Sequence, residues 1–137
     1  MKAVLDVSAF APILIADERE RLLPDLQSEL ETGGMVVPPH WYLEVANMVL
    51  MAVRRGRLQP PDQEYAMRTI RSVNLSVDEH MREQLLSETW RLAELHRLTI
   101  YDAAYLELAA RRGLPLATSD QALIEAAGHE SVPLFGR

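Results

Sequence analysis

An α/β domain is predicted, with a central, mainly parallel sheet of about four to five short strands flanked by helices. Short apolar runs (KAVLD, MVVP, VNLSV, LPLATS and VPLF) are separated by stretches of helical periodicity, the alternation typical of parallel sheets. The 137 residues contain no repeat, no low-complexity tract and no linker, so a single domain over residues 1–137 is expected. In such sheets ligands bind outside the carboxyl ends of the strands, so acids placed there carry functional weight.

The elements follow in order. KAVLD reads as a buried strand and VSAFAPILIA as a helix. DERERLLPDLQSELET is amphipathic, with a kink expected at Pro24, and Gly33 and Gly34 end it. MVVP is a second strand, and residues 40–55 form a long helix that Gly56 terminates. PPDQEYAMRTIRS opens on two prolines, which suit a helix start. VNLSV is a weak strand, and DEHMREQLLSETWRLAELHRL reads as one long helix. DAAYLELAARR is a helix, LPLATS a strand, DQALIEAAG a short helix and VPLF a last strand.

Composition narrows the chemistry. No cysteine is present, which removes disulfides, thiolate zinc sites and thiol nucleophiles. Lys2 is the only lysine, and no GxxxxGK[ST] or GxGxxG occurs, which disfavours P-loop and lysine-dependent enzymes. The start MKAVLDVSAF reaches Asp6 too early for a signal peptide, and no apolar run has transmembrane length, so a cytoplasmic protein is expected. Fourteen basic residues against twenty acidic ones leave a net charge of −6. A protein that binds nucleic acid through its overall field is normally basic. Either nucleic acid is not the ligand, or bound cations neutralise some carboxylates.

Four carboxylates stand at informative places. Asp6 ends the first strand, Asp120 lies just past LPLAT, and Asp102 opens the helix that feeds that strand. Each has a structural explanation. Asp6 or Ser8 suits an N-cap, Thr99 and Asp102 form the T-x-x-D pattern of a capping box, and Asp120 precedes a helix whose dipole favours an anion. Glu44 is different. It lies in WYLEVANMVLMAV, where only Glu44 and Asn47 are strongly polar, and a helix apolar nearly all round is expected to be buried. A carboxylate there must be paired, with Arg54 or Arg55 for example, or must hold a metal; Asn47 one turn on is placed to orient it. Taken together, converging carboxylates make sense only with cations, and oxygen-only ligation favours Mg²⁺ or Mn²⁺.

The series LDVSAF, EVANMVL, LTIYDAAYLELA and LATSD resembles the PIN-domain ribonucleases, most closely the toxins of VapBC-type toxin–antitoxin pairs. The resemblance runs from Val4 to about Leu134 and implies a PIN-like domain. It implies a metal-dependent endoribonuclease that hydrolyses RNA phosphodiesters, with Asp6, Glu44, Asp102 and Asp120 holding Mg²⁺ or Mn²⁺ and Ser8, Asn47 and Thr118 supporting them. Gln121, Ala122 and Leu123 follow the last aspartate, so no fifth acidic ligand is expected. A homodimer and a cognate antitoxin covering the site are implied as partners, besides the RNA. VSAFAPILIA and LLPDLQSEL, rich in Leu, Ile and Ala, are candidate protein contacts, with core packing as the competing explanation. Arg54, Arg55, Arg57, Arg111 and Arg112 are candidates for RNA phosphates.

Other acidic-site enzymes fit less well: a haloacid-dehalogenase-like phosphatase needs DxD where DVS stands, and a receiver domain needs a late lysine. A flap-type DNA nuclease would be larger and more basic. The alternative from another class is a catalytically inactive PIN-like interaction module. His40, His80, His96 and His129 lack metal-binding spacing and read as surface or cap residues, while Trp41 and Trp90 read as core packing.

Overall fold

The computed structural model describes residues 2–79 and 81–137. Four strands form a wholly parallel sheet in the order β3-β2-β1-β4: β1 (Ala3–Leu5), β2 (Met35–Val37), β3 (Leu75–Val77) and β4 (Leu116–Ala117). The register pairs Val4 with Val36 on one side and with Leu116 on the other. β1 and β2 are buried throughout, as expected of strands covered by helices on both faces. The chain runs from β1 toward β2 and β3 and returns to place β4 on the far side of β1. The strand order therefore reverses between β1 and β4, where a crevice opens at the carboxyl ends.

The helices are α1 (Val7–Leu14), α2 (Leu26–Glu31), α3 (Trp41–Arg54), α4 (Pro60–Ser72), α5 (Met81–Leu85), α6 (Glu88–His96), α7 (Ile100–Arg112) and α8 (Gln121–His129). Helix α7 is the central one. Ala103 through Ala109 are all buried, and its small Ala faces let it lie close against the sheet and α6. Gly113, at φ +64, ends it in the left-handed conformation that favours glycine.

Three elements differ from expectation. DERERLLPDLQSELET is not one kinked helix: Ala16–Arg21 forms a 3-10 turn, the chain extends at Leu22, and α2 begins after Asp25 at φ +65. Pro24 lacks an N–H and pushes the preceding Leu23 out of helical conformation, which separates the two segments. The long helix after β3 is divided into α5 and α6 at Ser87, whose φ −130 and ψ −92 leave helical space and whose hydroxyl donates back to the Glu83 carbonyl. Ser-Glu was a helix-start signal inside an otherwise continuous pattern. VPLF pairs through Leu134 alone, bridged to Leu116, because Pro133 supplies a carbonyl but no N–H.

The core lies on both faces of the sheet and takes in Phe10, Leu26, Met35, Trp41, Tyr105, Leu106 and Leu123. It also claims most of the apolar residues of the N-terminal helices: Val7, Ala9, Phe10, Leu14, Ile15, Leu23, Leu26 and Leu30 are buried. The richness of VSAFAPILIA and LLPDLQSEL is thus core packing rather than partner surface. No described helix is long and apolar enough to cross a membrane.

Candidate functional site

An open cleft of about 300 Å³ lies at the carboxyl ends of β1 and β4, lined by Asp6, Ser8, Glu44, Asn47, Asp102 and Asp120 with Val7 and Met48. All four sequence-predicted acids therefore meet in one place, carried by four different elements. Asp6 ends β1, Glu44 projects from the first turn of α3, Asp102 from the first turn of α7, and Asp120 precedes α8.

Asp6 is the most constrained. It is buried, and its Oδ2 accepts hydrogen bonds from Ser8 Oγ at 2.6 Å and Thr118 Oγ1 at 2.7 Å. It occupies the N-cap position of α1 without capping it, so the structural explanation of Asp6 fails. Burial pushes its pKa up to about 6; the two hydroxyls pull the other way, and the charges of Asp102 and Glu44 add to the rise. Ser8 Oγ in turn accepts the Ser119 N–H, and Thr118 Oγ1 accepts the Asp120 N–H, so the supporting hydroxyls also shape the turn that presents Asp120.

Asp102 is half-buried. Thr99 caps α7 by accepting the Asp102 N–H at 3.1 Å. Burial raises the Asp102 carboxyl pKa, with the charges of Asp120 and then Glu44 adding to it, while the Thr99 hydroxyl and His40 oppose the rise. Asp120 does serve as a cap: its Oδ1 accepts the Leu123 N–H at 3.0 Å while the side chain still lines the cleft. The rises at Asp6 and Asp102, to which neighbouring carboxylates add, are the electrostatic signature of anions gathered without a counter-charge. Among the described residues, no three His, Asp or Glu side chains form a ready cation cage.

The PIN-domain pattern matches residues 3–129. The chain belongs to the PIN-domain family. This PIN domain is 33% identical over 129 residues to Ribonuclease VapC3 of Pyrobaculum aerophilum, a match spanning 91% of this chain and 94% of that protein. It is 32% identical over 125 residues to Ribonuclease VapC3 of Mycobacterium tuberculosis, spanning 91% and 87% respectively. The crystal structure of PAE2754 from Pyrobaculum aerophilum is similar at a TM-score of 0.69 and 26% identity, covering 92% of this chain and 86% of that one.

Around the acids, the PIN domain departs from the sequence expectations in several ways. Glu44 is not sealed in a buried helix. Only Trp41, Val45, Val49 and Ala52 of α3 are buried, and Leu43 and Leu50 are exposed at 77% and 44%. Its partners are neither Arg54 nor Arg55 but Tyr105, whose hydroxyl donates to Oε1 at 2.8 Å, and His40, whose Nε2 lies 3.0 Å from the same oxygen. Beside that carboxylate, burial pushes the Tyr105 hydroxyl far above its ordinary pKa, with the charge of Glu44 adding to it, so it stays a donor. Asn47 lines the cleft but makes no hydrogen bond to Glu44 among the described residues.

His40 stands at the N-cap position of α3, as a cap reading expects, but its side chain makes no cap bond and turns to Glu44 instead, so it belongs to the site. The i, i+4 spacing from His40 to Glu44 was the available signal. His96 is also internal, 2.7 Å from Glu130 Oε2, and His80 falls outside the described residues. Trp41 packs in the core, but Trp90 is 55% exposed and donates to Glu94 at 2.7 Å. Two of the candidate arginines are engaged elsewhere. Arg57 binds Asp17 and Glu18, and Arg111 is held by Asp78 and Glu107.

Proposed function

We propose that this PIN domain is a metal-dependent endoribonuclease, the toxin of a VapBC-type pair, acting in the cytoplasm on RNA phosphodiesters. The observation that carries the reading is the meeting of Asp6, Glu44, Asp102 and Asp120 in one open cleft, where Asp102 and Glu44 raise the cost of charge on Asp6, and Asp120 and Glu44 raise it on Asp102. The names of the relatives, both ribonucleases, support it.

The donor set fits Mg²⁺ or Mn²⁺. All ligands are carboxylate oxygens, and bound cations would relieve their repulsion. The described residues form no closed cage, so a bound ion would have to complete its shell with water and substrate phosphate. When bound, such an ion lowers the pKa of water and offsets charge developing on phosphate oxygens.

The chain's own residues do the rest. Ser8 and Thr118 each donate to Oδ2 of Asp6, which restricts its rotamer and leaves Oδ1 as the oxygen that would meet a cation. Glu44, held through Oε1 on α3, and Asp102 on α7 would add ligands from two further elements. Asp120 caps α8 with one oxygen and offers the other. Asn47 lines the same cleft, where it would meet the substrate. The field of the acids repels RNA in the absence of cations, which makes substrate binding itself dependent on them.

The test is direct. Purified free of inhibitor, the protein should cleave RNA with Mg²⁺ or Mn²⁺ and stop with EDTA. Cleavage without metal, surviving in Asp6→Asn, rules the mechanism out.

For partners we propose a homodimer and a cognate antitoxin that covers the cleft. Leu43 and Leu50, exposed on the helix that carries Glu44, support protein contact beside the site. The same leucines favour the second reading, an inactive interaction module. That reading gains if the pure protein binds a partner yet neither binds Mn²⁺ nor cleaves RNA.

A further inference from the structure

His40 sits immediately before α3, with its side chain folded inward and only 11% exposed. Its ring packs edge-on against Tyr105 and Tyr101, at centroid separations of 5.1 and 5.7 Å. Nε2 lies 3.0 Å from Glu44 Oε1 and 3.1 Å from the backbone carbonyl of Tyr101. Both neighbours are acceptors, so Nε2 carries the hydrogen and donates to the pair. Nδ1 is buried with no hydrogen-bond partner among the described residues. A residue kept only for packing gains nothing from a buried unpaired nitrogen, and an aromatic hydrocarbon would fill the same space at lower cost.

The contacts join two walls of the cleft. Glu44 stands on α3, while Tyr101 and Tyr105 stand on α7, which also carries Asp102. Oε1 of Glu44 receives both the Tyr105 hydroxyl and His40, and Oε2 receives no hydrogen bond among the described residues.

We propose that His40 is a positioning residue that works with Tyr105 to hold Oε1 of Glu44, ties α3 to the first turn of α7, and so presents Oε2 to a divalent cation at a set distance from Asp102. The proposal rests on the metal-dependent reading of the cleft. Without the imidazole N–H, Glu44 keeps one tether and is free to swing about it, which weakens cation binding without removing a ligand.

The experiment compares wild type, His40→Phe and His40→Gln by thermal melts across a Mn²⁺ titration, beginning in EDTA. Phenylalanine keeps the ring and loses the donor. Glutamine places an amide N–H near the position of Nε2. The expected result is an at least fivefold rise in the Mn²⁺ midpoint for His40→Phe, with His40→Gln within about twofold of wild type. If His40→Phe does not fold, His40→Asn, whose amide is too short to reach Glu44, takes its place with the same expectation. An unchanged midpoint in the donor-less variant overturns the proposal, as does a glutamine variant as weak as phenylalanine, since that is the behaviour of a packing residue. A wild type with no Mn²⁺ shift at all overturns the metal reading, and the role of His40 with it.

Discussion

Thr118 and Asp6, 112 residues apart in the chain, are joined by a 2.7 Å hydrogen bond at the carboxyl ends of adjacent strands. Thr118 follows β4 and Asp6 follows β1, so the parallel pairing of these strands is what brings hydroxyl and carboxylate together. The same hydroxyl accepts the Asp120 N–H, which couples two of the acids through one side chain. Thr118→Val keeps the shape and removes the donor. Stability at pH 7.5 should fall by about 1.5–3 kcal/mol, the range for hydrogen bonds to charged groups, with Ser8 keeping it near the lower end. Urea unfolding measures this, and a loss below about 0.5 kcal/mol would show that Asp6 does not depend on the bond.

The elevated pKa of Asp6 carries a pH dependence with a definite sign. Unfolded, the group titrates near the ordinary aspartate value of 3.8; folded, burial pushes it up to about 6. Between these values the folded protein binds more protons than the unfolded one, so this group's contribution to stability falls as pH rises from about 4 to about 6, and is constant above. The size is on the order of 2–3 kcal/mol at 1.36 kcal/mol per pKa unit. Asp6→Asn removes that slope. In EDTA, the variant's stability relative to wild type should therefore increase between pH 4 and pH 7. Parallel pH–stability curves for the two proteins would sink the assignment. With cation present, protonation of Asp6 competes with binding, so Mg²⁺ affinity should weaken as pH drops through 6.

Much of the site was legible because it depends on where strands end. The rule that ligands bind at carboxyl ends located Asp6 and Asp120, and Ser8 and Thr118 lie within two residues of them. Glu44 was located for a reason that the structure revises. Its helix looked buried because it is apolar, yet Leu43 and Leu50 face solvent and Glu44 stays half-exposed at the cleft. Composition cannot tell an apolar residue in the core from one left at the surface. His40 and Tyr105 were missed because their partnership with Glu44 depends on how α3 packs across α7, with Tyr105 lying 61 residues away. The breaks at Pro24 and Ser87 were written locally, in the proline and in Ser-Glu, but amphipathic periodicity on either side masked them.

Arg111 gives a prediction about what does not bind RNA. Its guanidinium meets Glu107 at 2.6 Å and Asp78 at 2.7 Å, both carboxylates buried, and these bonds hold its pKa well above the usual arginine value. Phosphate binding would require breaking that network. Arg111→Met strands the buried Glu107 carboxylate and should cost about 3 kcal/mol, at the low end because Arg111 is partly exposed. RNA cleavage per folded molecule should be unchanged. Lower activity with unaltered stability would return Arg111 to the substrate path.

Asp102 and Asp120 separate repulsion from capping. Asp120 caps α8 through Oδ1, and asparagine caps about as well, so Asp120→Asn should leave the helix start intact. Asp102 caps nothing; its own N–H is capped by Thr99. Its carboxyl pKa is raised by burial and by Asp120 and Glu44, so its charge is a cost to the metal-free fold. Asp102→Asn should then melt higher than wild type in EDTA, and Asp120→Asn no lower. Both should lose most of the Mg²⁺ stabilisation, which at a hundredfold excess over Kd is worth ~2.7 kcal/mol. Thr99→Ala gives the contrast: it should lose roughly 1 kcal/mol from the cap and keep its Mg²⁺ shift. If instead both asparagine variants melt lower in EDTA and retain the full Mg²⁺ shift, the two aspartates are structural and the cleft does not gather cations.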